Sequence, residues 1–232
     1  MDYNNYYLLV DYGLPILGVL ITAIAQIFIN ISYSKYRRVP ITKKMTGLET
    51  ARTILDANGL KDVKVNLVSG NLTDHYDPRN KTVNLSRDIY EGYSIASVSV
   101  AAHECGHAIQ DKDNYAFLRI RASLVPLVNF SSKFGYIVVL IGLLFNIIGL
   151  AKFGIILLLA ILLFQLVTLP VEFNASRRAG KQLSSLNILE PYEESASKTM
   201  LISAAFTYVA SLASTLLQIL RLALIVIGRD DD

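Results

Sequence analysis

The chain has 232 residues, 53% of them hydrophobic and only 18% charged, with a mean hydropathy of +0.42. Soluble domains carry about 25% charged residues, so composition excludes an ordinary soluble domain and fits a membrane protein. The net charge of +3 comes without any basic stretch interleaved with aromatics, which gives no sign of nucleic-acid binding, and a lone cysteine, Cys105, excludes an internal disulfide.

Residues 13–32 run without a charge and are long enough for a spanning helix. Asp2 and Asp11 stand where a signal peptide would have a basic segment, and basic residues follow, so the segment is a retained span and not a leader. Thr46 with Glu49 has the spacing of a capping box and predicts a short helix to about Asn58. Alternation at Val63, Val65 and Leu67 predicts a strand over 62–68. Segments 72–76 and 81–85 flank the turn-rich Asp77-Pro78-Arg79-Asn80 and predict a hairpin. Its 81–85 strand is a candidate for binding a peptide by edge addition.

A long apolar helix follows over 94–110 and carries His103-Glu104-Cys105-Gly106-His107. Residues i and i+4 of a helix lie on one face, so two imidazoles can converge on one Zn2+. Glu104 projects about 100° away from the first histidine and can reach a metal-bound water instead of the metal, as a metal-assisted hydrolase requires. With three histidines in the chain, chance matches to this pattern are on the order of 0.001. Gly106 is the one weak helix former here, and a small residue at that point suits the close approach of another backbone.

Runs at 134–150 and 153–169, separated by Ala151-Lys152, predict a membrane hairpin, and a fourth run at 200–220 stops at Arg221. The expected architecture is therefore a mainly α membrane protein of about four spans in a single domain, with a small α+β, zincin-like catalytic part drawn from 33–121 and 171–199. Lys35, Arg37, Arg38, Lys43 and Lys44 after the first span, and Arg177, Arg178 and Lys181 after the third, put those segments on one side. The positive-inside rule makes that side cytoplasmic in a multi-pass cell-membrane protein. Arg221 and Arg229 are a minor counter-signal, set against Asp230, Asp231 and Asp232.

Catalytic zinc usually takes three protein ligands. The extended pattern with a third histidine is excluded, because Gln110 and Asp113 occupy its Gly and His positions. Past Asp113 the carboxylates are Glu172, Glu190, Glu193, Glu194 and the terminal aspartates. Glu172, just after Pro170 at the end of the third span, is the leading candidate; the other three glutamates read as a solvated acidic face or the start of the fourth helix. A site-2 type intramembrane protease would need an Asp in a later span, and none occurs between Asp113 and Asp230.

Four stretches carry a family resemblance: His103-Glu104-Cys105-Gly106-His107-Ala108-Ile109-Gln110, Leu72-Thr73-Asp74-His75-Tyr76-Asp77-Pro78, Leu169-Pro170-Val171-Glu172-Phe173-Asn174-Ala175-Ser176, and Thr207-Tyr208-Val209-Ala210. Together, and in this order, they resemble the bacterial membrane-bound neutral zinc metallopeptidases (the YugP-like family) over nearly the whole chain. The resemblance implies a multi-pass peptidase with one catalytic zinc ion, ligands His103, His107 and Glu172, and Glu104 as general base. More distantly, the stretch from Glu172 is similar to the Glu-x-x-Ala-Asp motif of the HtpX and CAAX-prenyl proteases, with Ser176 standing where those enzymes have Asp.

A donor for the developing oxyanion is also expected, with His75 and Tyr208 as the candidates. The bland readings are a hairpin histidine held by Asp74 or Asp77, and a tyrosine packed within its span. Arg177 and Arg178 read most simply as topology signals, and otherwise as partners of a substrate carboxylate or of the residues around Glu172. The expected partners are a peptide or membrane-protein substrate and the lipid bilayer, with no nucleic acid. A metal-binding scaffold without turnover is the competing function; it would have no use for Glu104.

Overall fold

The computed structural model describes residues 8–230. Asp2, Asp231 and Asp232, which entered the sequence reading as flanking charges, lie outside them. Helix α1 (Leu14–Tyr36) is entered through a π turn at Leu9–Gly13 and is followed by α2 (Gly47–Ala57), β1 (Lys64–Val68), β2 (His75–Asp77), β3 (Thr82–Ser86), α3 (Arg87–Tyr90) and α4 (Ile95–Lys112). Three long helices complete the chain: α5 (Ala116–Leu144), α6 (Ile148–Ser185) and α7 (Pro191–Asp230).

Among the described residues, four helical stretches are long and apolar enough to cross a membrane: Leu9–Tyr36, Ala116–Leu144, Ile148–Ser185 and Pro191–Arg229. About 20 residues suffice for a bilayer, so the 38 residues of α6 and the 40 of α7 leave room for polar extensions such as the one carrying Glu172 and Arg177. The turn between the second and third spans lies at 145–147, not at Ala151-Lys152 as the apolar runs suggested. Asn146 takes a left-handed conformation (φ 55°), and Ile147 N–H reaches back to the Gly142 carbonyl at 2.7 Å, which closes α5. Ala151 is fully buried within α6, against Gly142, where a side chain would meet the Ala151 backbone nitrogen at 2.4 Å.

Two compact units divide the chain. The first comprises the described residues of Met1–Gln26, Arg119–Leu169 and Thr207–Asp232, with Val139, Leu158 and Ile219 as its buried cluster. The second comprises Ile27–Leu118 and Pro170–Phe206 and holds the larger core. Ala51, Ile54 and Leu55 of α2 pack there with Val98, Ala101, Ala102 and Cys105 of α4, all fully buried. The capping box that opens α2 is formed in both directions: Glu49 N–H donates to Thr46 Oγ1 at 3.2 Å and Thr46 N–H to Glu49 Oε2 at 2.8 Å.

The sheet has the order β1-β3-β2. The predicted hairpin is β2–β3, antiparallel, and its turn is held by Asp77, which accepts from Arg79 N–H at 2.9 Å and Asn80 Nδ2 at 2.7 Å. β1 pairs parallel with β3, Val65 opposite Val83 and Leu67 opposite Leu85. That placement corrects the expectation for 81–85: β3 is the central strand, its backbone paired on both sides, so it is closed to edge addition. Of the two readings open to Glu193, the start of the fourth spanning helix holds and the solvated face does not: it is buried in the first turn of α7 and accepts from the backbone N–H groups of Thr42 (2.8 Å) and Glu190 (2.9 Å).

Candidate metal centre

Ser94 starts the helix that carries the motif, accepting the Ser97 N–H at 3.1 Å as its N-cap. From there α4 runs unbroken past both histidines, because its apolar face (Val98, Ala101, Ala102, Cys105, Ala108) is sealed in the core. Gly106 has a specific reason to lack a side chain: a Cβ there would lie 2.5 Å from the Ala175 carbonyl oxygen of α6. The backbones of α4 and α6 touch at this point, one turn beyond Glu172.

The contact brings three of the expected site residues together. Glu172 Oε2 lies 3.3 Å from His103 Nε2 and 3.6 Å from His107 Nε2, and one ligand atom from each of the three falls within 4.8 Å of the others. The two rings are edge-on, 87° apart with centroids at 4.8 Å. Glu172 is 3% exposed and His107 9%. Burial works against a charge on His107, but the neighbouring Glu172 and Glu104 carboxylates outweigh it and hold the imidazole above its ordinary pKa.

Each histidine is held from behind through Nδ1. Gln110 Nε2 donates to Val171 O at 2.8 Å and Asn174 Oδ1 at 3.0 Å, which turns its Oε1 toward His107 Nδ1 at 3.0 Å. Since Oε1 only accepts, Nδ1 carries a proton, so Nε2 is the nitrogen that faces Glu172 and the one left to bind a metal when it gives up its own proton. Ser176 Oγ lies 3.1 Å from His103 Nδ1, where its lone pair can accept the Nδ1 proton and leave Nε2 for a metal. Asn174 is steadied in turn by Arg178 Nε at 2.8 Å, and Arg178 pairs with Asp113 at 2.5 Å. Arg178 thus bonds a neighbour of Glu172, as the sequence reading allowed, and ties α6 to the end of α4.

Chemically, this donor set fits zinc. Two ligand atoms each 2.0–2.1 Å from a tetrahedral ion sit about 3.3 Å apart, close to both measured nitrogen–oxygen separations. Glu104, buried and one residue after His103 on α4, adds a carboxylate that is not part of the three-residue group.

His75 stands apart from that group. It is on β2, exposed, with Nδ1 donating to Thr73 O at 2.7 Å and Nε2 accepting from Asn84 Nδ2 at 3.2 Å. Neither Asp74 nor Asp77 holds it: Asp74 accepts from the Ser86 backbone and hydroxyl, and Asp77 serves its turn. Tyr208 lies on α7 and is partly exposed. Sequence reasoning passed over Gln110 as a functional residue; its position three residues after His107, hence on the same helix face, was the available signal.

The chain matches, over residues 12–227, the model of a family described as "Putative neutral zinc metallopeptidase". It belongs to that family. Among curated proteins, the "Putative membrane protease YugP" of Bacillus subtilis (strain 168) is 43% identical over 209 residues, covering 90% of this chain and 93% of that protein. No solved structure matches the chain. In this chain the paired histidines and Glu172 lie on two helices in backbone contact, and among the described residues four helices are long and apolar enough to cross a membrane.

Proposed function

We propose that the chain is a zinc-dependent endopeptidase of the gluzincin type, a single membrane-embedded domain that cleaves unfolded or membrane-protein segments at the cytoplasmic face. The observation that carries this reading is the convergence of His103 Nε2, His107 Nε2 and Glu172 Oε2, with both Nδ1 atoms already engaged by Ser176 and Gln110. His103, His107 and Glu172 would hold one zinc ion. A bound zinc ion supplies Lewis acidity toward a carbonyl and lowers the pKa of water to about 7. Glu104 takes the proton of the attacking water and passes it to the amine nitrogen as the peptide C–N bond breaks. The buried carboxylate suits that role, since it is close to the site yet outside the ligand set. His75 enters as an oxyanion donor by exchanging its Thr73 bond for substrate; in its present bonds it holds β2 to β3.

Placement at the cytoplasmic face rests on the basic residues of 35–44 and 177–181. The deciding experiment compares the full chain and Glu104→Ala for zinc content and for cleavage of an unfolded protein. Zinc retained with cleavage abolished is the expected result, and equal residual cleavage by both proteins rules the peptidase out in favour of a metal-binding scaffold. Single cysteines placed near residue 40 should resist a membrane-impermeant label in intact cells; labelling there reverses the orientation.

A further inference from the structure

A cavity of about 740 Å3 lies between the end of α6 and the start of α7, within the size range of ligand clefts. It adjoins His103 only through Ser176, which lines it and bonds Nδ1, the ring nitrogen facing away from Glu172. An occupant of this groove therefore reaches the back of a histidine and not the metal-binding atoms. Its lining pairs apolar side chains with cations. Phe173, Leu201, Ile202 and Ala205 stand farthest along the chain from the 186–190 connection, with Phe173 and Ile202 exposed; Arg177, Lys181 and Lys198 stand nearer to it, beside Leu183, Leu189 and Pro191. Glu194 is the one carboxylate among the lining residues, and among the described residues none of the three cations forms an ion pair. Both walls belong to helices long and apolar enough to span a membrane.

Gly180 contributes a further observation. It sits inside α6, where glycine is a poor helix former, and a Cβ there would meet nothing within 4 Å. No packing contact calls for it; its effect is to leave the groove open.

We propose that this groove holds an anionic membrane phospholipid, with the phosphate among Arg177, Lys181 and Lys198 and an acyl chain along Phe173, Leu201 and Ile202. Unpaired cations beside an apolar wall at the end of a spanning helix pair are complementary to a charged headgroup with a hydrocarbon tail. A zwitterionic lipid lacks the net charge, and a soluble anion leaves the apolar half unfilled. The proposal does not depend on the peptidase reading, and its test reads lipid and not cleavage.

The full chain, purified in mild detergent, is incubated with an equal mixture of phosphatidylglycerol and phosphatidylcholine, and retained lipid is counted by native mass spectrometry. Each basic residue beside an anionic headgroup is worth roughly a fivefold preference, so the wild type should retain phosphatidylglycerol at least about tenfold over phosphatidylcholine. Combined Arg177→Gln, Lys181→Gln and Lys198→Gln should bring the two near equality, while Lys61→Gln, at an exposed lysine elsewhere, leaves the preference intact. Gly180→Leu fills the groove with the charges in place and should remove the bound lipid while circular dichroism stays unchanged. Equal retention of both lipids by the wild type overturns the proposal, as does wild-type retention by either the neutralised or the Gly180→Leu protein. Displacement of the lipid by a peptide with an apolar run and an acidic end, at matched concentration, would make the groove a protein-docking site instead.

Discussion

Gln110 Nε2 donates to the Val171 carbonyl at 2.8 Å, joining the helix of both histidines to the residue before Glu172. The same side chain accepts from His107, so one fully buried amide sets the His107 tautomer and ties together the two helices that carry the proposed ligands. Gln110→Met keeps the volume and removes every bond. His107 Nδ1 is then left without a partner in a buried setting, at about 1–3 kcal/mol, and support of this kind is worth roughly 10–100-fold in metal affinity. Thermal unfolding and zinc competition against a chelator should both record the loss; an unchanged zinc affinity would reduce Gln110 to a packing residue.

Ser176 offers a test in the opposite direction. Its hydroxyl lies 3.1 Å from His103 Nδ1, where the distantly similar proteases have a carboxylate. Ser176→Ala is expected to weaken zinc binding by about tenfold. Ser176→Asp places a charged acceptor against Nδ1–H, a stronger hydrogen bond, and should restore or exceed the wild-type affinity. The chelator competition reads both, and equal affinities for all three proteins would show that Nδ1 of His103 needs no partner.

Much of this architecture was legible in advance, for identifiable reasons. The capping box at Thr46 and Glu49 and the hairpin turn at Asp77 are local devices in which neighbouring residues satisfy one another, so sequence spacing suffices to find them. The pairing of Glu172 with the histidines could be narrowed by elimination because carboxylates are scarce after Asp113. Tertiary partners were another matter. The parallel pairing of β1 with β3, which closes β3 to substrate, joins segments some 18 residues apart in register (Lys64 with Thr82) and leaves no mark in either strand. Glu193 could be read either as surface or as the start of a helix, and its burial was hidden because its partner, Thr42, is 151 residues away. The 145–147 turn was hidden because Asn146 is followed by more apolar sequence, and hydropathy alone reports lysines better than left-handed residues.

Cys105 sits between the histidines in sequence yet faces the other way. It is fully buried against α2, with Sγ 3.6 Å from the Ala51 carbonyl, and burial pushes its thiol well above the ordinary pKa. A folded protein should therefore leave the thiol unreacted with a water-soluble disulfide reagent at pH 8, and release it only on unfolding in denaturant. Rapid reaction in the native state would mean that α2 and α4 separate readily. Cys105→Ala should retain zinc and peptidase activity, which sets the thiol apart from the chemistry around it.

Two glycines inside helices give the sharpest contrast of all. At Gly106 an added Cβ would lie 2.5 Å from the Ala175 carbonyl oxygen and 3.1 Å from its carbon, both backbone atoms that no rotamer change can move aside. Gly106→Ala must then push α4 away from α6, and overpacking of this kind costs about 1–3 kcal/mol. Because the contact lies one turn from Glu172, zinc affinity should fall together with stability. At Gly180, by contrast, a Cβ meets nothing within 4 Å. Gly180→Ala gains helix propensity without a clash and should stabilise by about 0.5–1 kcal/mol. Melting curves of the two variants, with and without zinc, check the pair: Gly106→Ala lowers the midpoint and shrinks the zinc-induced rise, while Gly180→Ala raises the midpoint and leaves that rise intact. If Gly106→Ala instead keeps the full zinc-induced rise, the backbone contact between α4 and α6 is not what holds Glu172 against the two histidines.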